Sequence, residues 1–265
     1  MPKALLNGIE VYYEIGGAGP QLLFISGSGS DLRNRPNQFD SPLAEHFELI
    51  CYDQRGLGQT TNPDGPFTMA EYADDAAALL DHLCIDQIPV VGVSFGGMVG
   101  QEFAIRHPDR VSALVLACTS SGGEGGSSYP LHEIEALPAE ERAATHLRVA
   151  DTRHTDDWIQ ANPEAWQKRL AISMAGRRED RDQDGAGKQL QARRFHNTYD
   201  RLAGIRAPTL LAGGEFDGVA PPDNMRAIQG QIEGAELQFF NGGHMFLVQD
   251  KSAYPFIIEW VKRQL

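Results

Sequence analysis

A chain of 265 residues with a formal net charge of -13 is long enough for one large domain, or a core with a modest insertion, around a substantial apolar interior. The acidic balance opposes binding to nucleic acid or to an anionic membrane, since both need a basic footprint that releases counterions. No apolar run approaches the ~18 residues of a membrane span, the first residues lack a secretory h-region, and Cys51, Cys84 and Cys118 are scattered in apolar surroundings. Buried thiols in a reducing compartment are expected, and with them a cytoplasmic location.

In chain order, β-branched apolar runs recur at residues 9–15, 22–25, 47–52, 88–93, 111–117, 209–212 and 237–240. Several end in Gly or Asp, as buried parallel strands do. Between them lie helical patterns. Met69, Tyr72, Ala76, Leu79, Leu80 and Leu83 recur at three- and four-residue steps, as do Phe95, Val99 and Phe103, and a last helix fits residues 252–265. This alternation predicts an α/β fold with a mostly parallel sheet covered by helices on both faces. Residues 122–199 break the rhythm. They begin with GGEGG and continue as charged, helical sequence with enough apolar residues for several short helices, so they read as an insertion between two core segments, 1–121 and 200–265. Within it, residues 177–188 are expected to be a solvated surface loop.

Three places carry chemistry. The run LLFISGSGS, residues 22–30, drops from a strand into alternating Gly and Ser; it lacks the Lys-Ser/Thr of a phosphate loop and is bracketed by strands, which disfavours a linker. The second is VVGVSFGG, residues 90–97, a Gly-x-Ser-x-Gly between a strand and a helix. Such a turn thrusts the Ser94 hydroxyl beyond the sheet, where the helix beginning at Phe95 directs its N-terminal N–H groups. A serine hydroxyl needs a base and a group orienting that base. Asp217, in LLAGGEFD, and His244, in NGGHMF, follow successive strands and supply them in the order Ser, acid, His.

These segments, with YDQRGLGQT and GEFDGVAPP, resemble the α/β-hydrolase superfamily over essentially the full chain, and are most similar to small capped esterase and lactonase types, including 3-oxoadipate enol-lactonase-like proteins. The resemblance implies an eight-stranded α/β-hydrolase fold with a helical cap at residues 122–199, Ser94 as nucleophile, His244 as general base and Asp217 as its orienting acid. It further implies an oxyanion hole from the backbone N–H groups of Ser28 and Phe95. Ser26 departs from the family, which often has His there. Ser26, Gly27, Cys118, Trp158 and Met245 are candidates for the pocket lining, alongside Trp166 and Met174, although core packing accounts equally well for the bulky ones. Glu215 is a rival acid. The remaining histidines, at 46, 82, 107, 132, 146, 154 and 196, show no metal-ligand spacing and read as surface or capping residues.

The expected activity is hydrolysis of a small carboxylic ester or lactone through an acyl-enzyme, without metal or other cofactor, on a small-molecule substrate; homo-oligomerisation is left open. A C–C bond hydrolase of ring-cleavage products, a cofactor-free perhydrolase or haloperoxidase-like enzyme and a capped small-molecule sensor are the alternatives.

Overall fold

The computed structural model describes residues 2–175 and 180–265. Eight strands, β1 (Lys3–Leu6), β2 (Ile9–Gly17), β3 (Gln21–Ile25), β4 (Glu48–Tyr52), β5 (Ile88–Val93), β6 (Val111–Ala117), β7 (Thr209–Gly214) and β8 (Glu236–Phe240), form one sheet in the order β1-β2-β4-β3-β5-β6-β7-β8. β2 pairs antiparallel with β1 and β4, and every later pairing is parallel. Strand β1 was not among the seven apolar runs.

Alternate side chains of each strand enter opposite cores. On β3, Leu23 and Ile25 join α1 (Met69–His82) and α2 (Phe95–Arg106), while Leu22 and Phe24 face the layer that contains Trp260 and Val261. Because both faces are covered, the strands read as continuous apolar runs. Helix α1 starts at a capping box: Thr68 Oγ1 accepts from the Glu71 N–H at 3.2 Å, and Glu71 Oε2 accepts from the Thr68 N–H at 2.8 Å. Its Tyr72 ring meets Phe95 edge-on, with centroids 4.9 Å apart, and so ties α1 to the first residue of α2.

Between β6 and β7 lie α3 (Leu131–Ile134), α4 (Ala139–Ala150), α5 (Asp156–Ala161), α6 (Pro163–Ala175) and α7 (Gln183–Arg194). α8 (Pro222–Gln229), α9 (Phe246–Gln249) and α10 (Ala253–Lys262) complete the chain. Much of the segment expected as a surface loop is thus helix α7, capped by Asp182, whose Oδ1 accepts from the Gly185 N–H at 2.8 Å. Residues 177–179 of that segment lie outside the described residues. Cys51 and Cys118 are buried, as expected, but Cys84 is exposed in the turn after α1. Among the described residues no helix is long and apolar enough to cross a membrane.

One buried ion pair anchors the loop after β4. Arg55 grips Asp75 of α1 through Nε and Nη2, at 2.8 and 2.9 Å, and both residues are almost inaccessible. Replacing Asp75 with alanine strands the buried guanidinium beside only the half-exposed Glu71. A loss of about 3–5 kcal/mol is expected in urea titration of the variant against the parent protein.

Candidate active site

The end of β5 and the start of α2 make a turn too tight for ordinary side chains. Ser94 sits at φ 56° and ψ -115°, a strained region for any residue but glycine. Its N–H donates to the Ala117 carbonyl at 2.8 Å, and its carbonyl accepts from Thr119 Oγ1 at 2.8 Å, so neighbouring β6 holds the strain in place. A Cβ at Gly96 would collide with the Ile25 carbonyl, which explains the glycine after the serine.

The hydroxyl so presented meets a hydrogen-bonded relay. Ser94 Oγ lies 2.9 Å from His244 Nε2, and His244 Nδ1 lies 2.8 Å from Asp217 Oδ2. Asp217 is buried, and its other oxygen, Oδ1, accepts from the Val219 and Ala220 N–H groups at 2.8 and 2.9 Å. Glu215, the rival acid, points to solvent instead.

The loops that carry Asp217 and His244 are both stitched to the end of α4: the His244 N–H donates to the Ala150 carbonyl at 2.6 Å, the Gly218 N–H to the Val149 carbonyl at 2.9 Å, and the Thr152 N–H to the Phe216 carbonyl at 2.9 Å.

Opposite the serine lies the glycine-serine loop after β3. Among the described residues, the N–H groups of Ser28 and Phe95 have no hydrogen-bond partner. The loop is held from below. Gln54 Nε2 donates to the Ser26 carbonyl at 2.8 Å, and Asp53 accepts from the Leu32 and Gln59 N–H groups at 2.7 and 2.8 Å. Burial of Asp53 raises its pKa to about 6 despite those two donors. From above, Gln189 Oε1 of α7 accepts the Gly29 N–H at 2.7 Å. The segment DQRGLG, residues 53–58, therefore supports this loop.

The lining candidates divide. Ser26 is buried and its Oγ accepts from Gln38 Nε2 at 3.1 Å, so it braces the loop. Gly27 packs its Cα beside the Ser94 side chain. Cys118 is buried behind the relay with its thiol held protonated by desolvation, and Met245 turns outward, 55% exposed. Trp158 packs against His154, with centroids 5.0 Å apart and the rings tilted by 53°, and lies under Arg169, on the outside of the inserted helices. Trp166 is core, whereas Met174 does line a cavity of about 330 Å³, together with Ser28, Ile134, Arg142 and His146. His146 had read as a surface residue. In the fold it is half-buried in the wall of that cavity, and its pKa is lowered by that burial and by the nearby His244.

Cys118, Asp217 and His244 have ligating atoms within 4.8 Å of one another. A metal there would have to take a ring nitrogen of His244 from its hydrogen-bond partner and deprotonate a buried thiol, so the trio fits hydrogen bonding and not coordination.

Residues 20–251 match the model of the alpha/beta hydrolase fold, and the chain belongs to that family of hydrolases. A poly(3-hydroxyalkanoate) depolymerase of Ectopseudomonas oleovorans is 30% identical over 92% of this chain and 84% of its own length. The 3-oxoadipate enol-lactonase 2 of Acinetobacter baylyi is 27% identical over 92% of this chain and 89% of its own. Among solved structures, the enol-lactonase from Burkholderia xenovorans LB400 shares the fold with a TM-score of 0.76 at 24% identity, covering 99% of both chains.

Proposed function

We propose that the protein is a serine hydrolase of small carboxylic esters or lactones. The observation that carries this reading is the unbroken relay from Ser94 through His244 to Asp217, set beside two unengaged backbone donors. Ser94 Oγ attacks the carbonyl carbon while its proton passes to His244 Nε2, and the carbonyl oxygen, now negative, receives hydrogen bonds from the Ser28 and Phe95 N–H groups. The tetrahedral adduct collapses as the imidazolium returns that proton to the leaving oxygen, releasing an alcohol, or opening the ring of a lactone. Water, deprotonated by the same nitrogen, then attacks the acyl-enzyme, and the acid departs with Ser94 restored. Helices α3 to α7 act as a cap that excludes water and selects substrate size. The three unpaired cysteines suit the reducing cytoplasm.

The test is covalent labelling with a fluorophosphonate, read by intact mass. One adduct is expected on the parent protein and none on Ser94→Ala; equal labelling of both would remove Ser94 from the role of nucleophile.

A further inference from the structure

The tip of the glycine-serine loop is a four-residue turn. The Ser30 N–H donates to the Gly27 carbonyl at 3.3 Å, and Gly29, third in the turn, takes φ 69°. A positive φ at that place is the type II arrangement, which differs from the commoner type I by rotation of the peptide joining the second and third residues, here Ser28 and Gly29. Glycine leaves both arrangements accessible. The setting of Ser28 therefore depends on which of them is held.

One side chain decides between them. Gln189 Oε1 of α7 accepts the Gly29 N–H at 2.7 Å. Rotating the peptide would bring the Ser28 carbonyl to the place of that N–H, oxygen facing oxygen, so the bond admits the type II turn and excludes the other.

Gln189 is itself held still. Gly185, four residues earlier and so on the same side of α7, packs on the backbone of Gly56 with no room for a Cβ. Lys188 Nζ donates to Asn62 Oδ1 and to the Pro63 carbonyl at 3.1 and 2.8 Å, and Asn62 Nδ2 donates to Asp182 Oδ2 at 2.9 Å. Gly56, Asn62 and Pro63 belong to the segment after β4, whose Asp53 and Gln54 hold the loop from below. The same stretch of chain thus fixes both the loop and the helix that reaches over it, and the acceptor is in place before any substrate arrives.

Stability does not account for this residue. Gln189 is fully buried, and its Nε2 has no partner among the described residues. A buried amide with an idle donor is costly, and an apolar side chain of similar shape would fill the space without that cost. What the apolar side chain lacks is an oxygen for Gly29.

We propose that Gln189 is a positioning residue for the oxyanion hole: through Gly29 it holds Ser28 where the Ser28 N–H meets the developing charge, so that the inserted helices complete the hole as well as roof it. This inference rests on the hydrolase reading above.

The test compares the parent protein with Gln189→Met, which keeps the length of the side chain and drops the acceptor. Two compounds are used: p-nitrophenyl butyrate as substrate, and an alkyl trifluoromethyl ketone as inhibitor. The ketone carbon takes Ser94 Oγ as the serine proton passes to His244, which leaves an oxyanion in the hole. In the variant kcat is expected to fall about 10²-fold while KM stays within about threefold, because the lost alignment matters only once charge develops. The inhibition constant of the ketone should rise by a similar factor. An unchanged kcat, a loss carried by KM, or undiminished affinity for the ketone overturns the proposal. If the variant does not fold, amide exchange in the parent protein decides. The Gly29 N–H is expected to exchange about 10²-fold more slowly than the unbonded Ser28 N–H, and equal rates overturn the proposal. The two readings fail differently. A parent protein that neither hydrolyses the ester nor takes the fluorophosphonate removes both, whereas a labelled, active parent whose rate survives the substitution removes this one alone.

Discussion

Alanine at Ser94 is expected to lower kcat for a chromogenic ester by on the order of 10⁶, alanine at His244 by a similar factor, and the double substitution by no more than either alone. The non-additivity follows from the geometry. Under the proposed mechanism the 2.9 Å contact between Ser94 Oγ and His244 Nε2 makes the two residues one proton-transfer device, and half of it does nothing. Under the same mechanism any residual rate is the contribution of binding and of the Ser28 and Phe95 N–H groups, which neither substitution touches. Steady-state kinetics of the three variants provides the check. Losses that multiply in the double variant would mean that serine and histidine act in separate steps.

Asp217→Asn is expected to cost about 10⁴ in kcat with little change in melting temperature. Asp217 Oδ1 is fixed by the Val219 and Ala220 N–H groups, so the asparagine keeps its carbonyl oxygen there and turns its NH₂ toward His244 Nδ1. That nitrogen must then accept, the ring proton moves to Nε2, and Nε2 can no longer take the proton of Ser94. A loss of less than tenfold would show that the tautomer is set elsewhere. Glu215→Gln, at an exposed position outside the relay, should leave the rate within twofold.

The parts of this fold that announce themselves in sequence are those whose signal is local. Strands β3, β5 and β6 are buried on both faces, so each reads as a nearly continuous apolar run, with Gln21 at the start of β3 and Ser112 in β6 as the polar exceptions. Strand β1 is four residues long and leaves Leu5 76% exposed at the sheet edge, too short and too mixed to give a pattern. Helix α7 was hidden by Gly185 and Gly187 and by its charges. Gly185 lies against Gly56 so closely that a Cβ would collide with its carbonyl, and so a long-range contact, not helix propensity, dictates that residue. The relay was legible because Ser94, Asp217 and His244 each follow a strand in a fixed chain order. Gln189 and His146 were not, since a lone polar residue in a helix carries no mark of what it faces until distant segments close around it.

The backbone links at Val149, Ala150 and Thr152 bear on how this scaffold can be altered. Residues between β6 and β7 are where one would graft a different roof to change substrate choice, treating everything from 122 to 199 as an exchangeable module. Here the donor segment must reproduce two carbonyls and one N–H at the end of α4, because the loops that carry Asp217 and His244 are hydrogen-bonded to them. A chimera that omits residues 149–152 would be expected to fold its sheet and still misalign its proton relay, whereas one that retains those four residues and replaces α5 and α6 leaves the alignment intact.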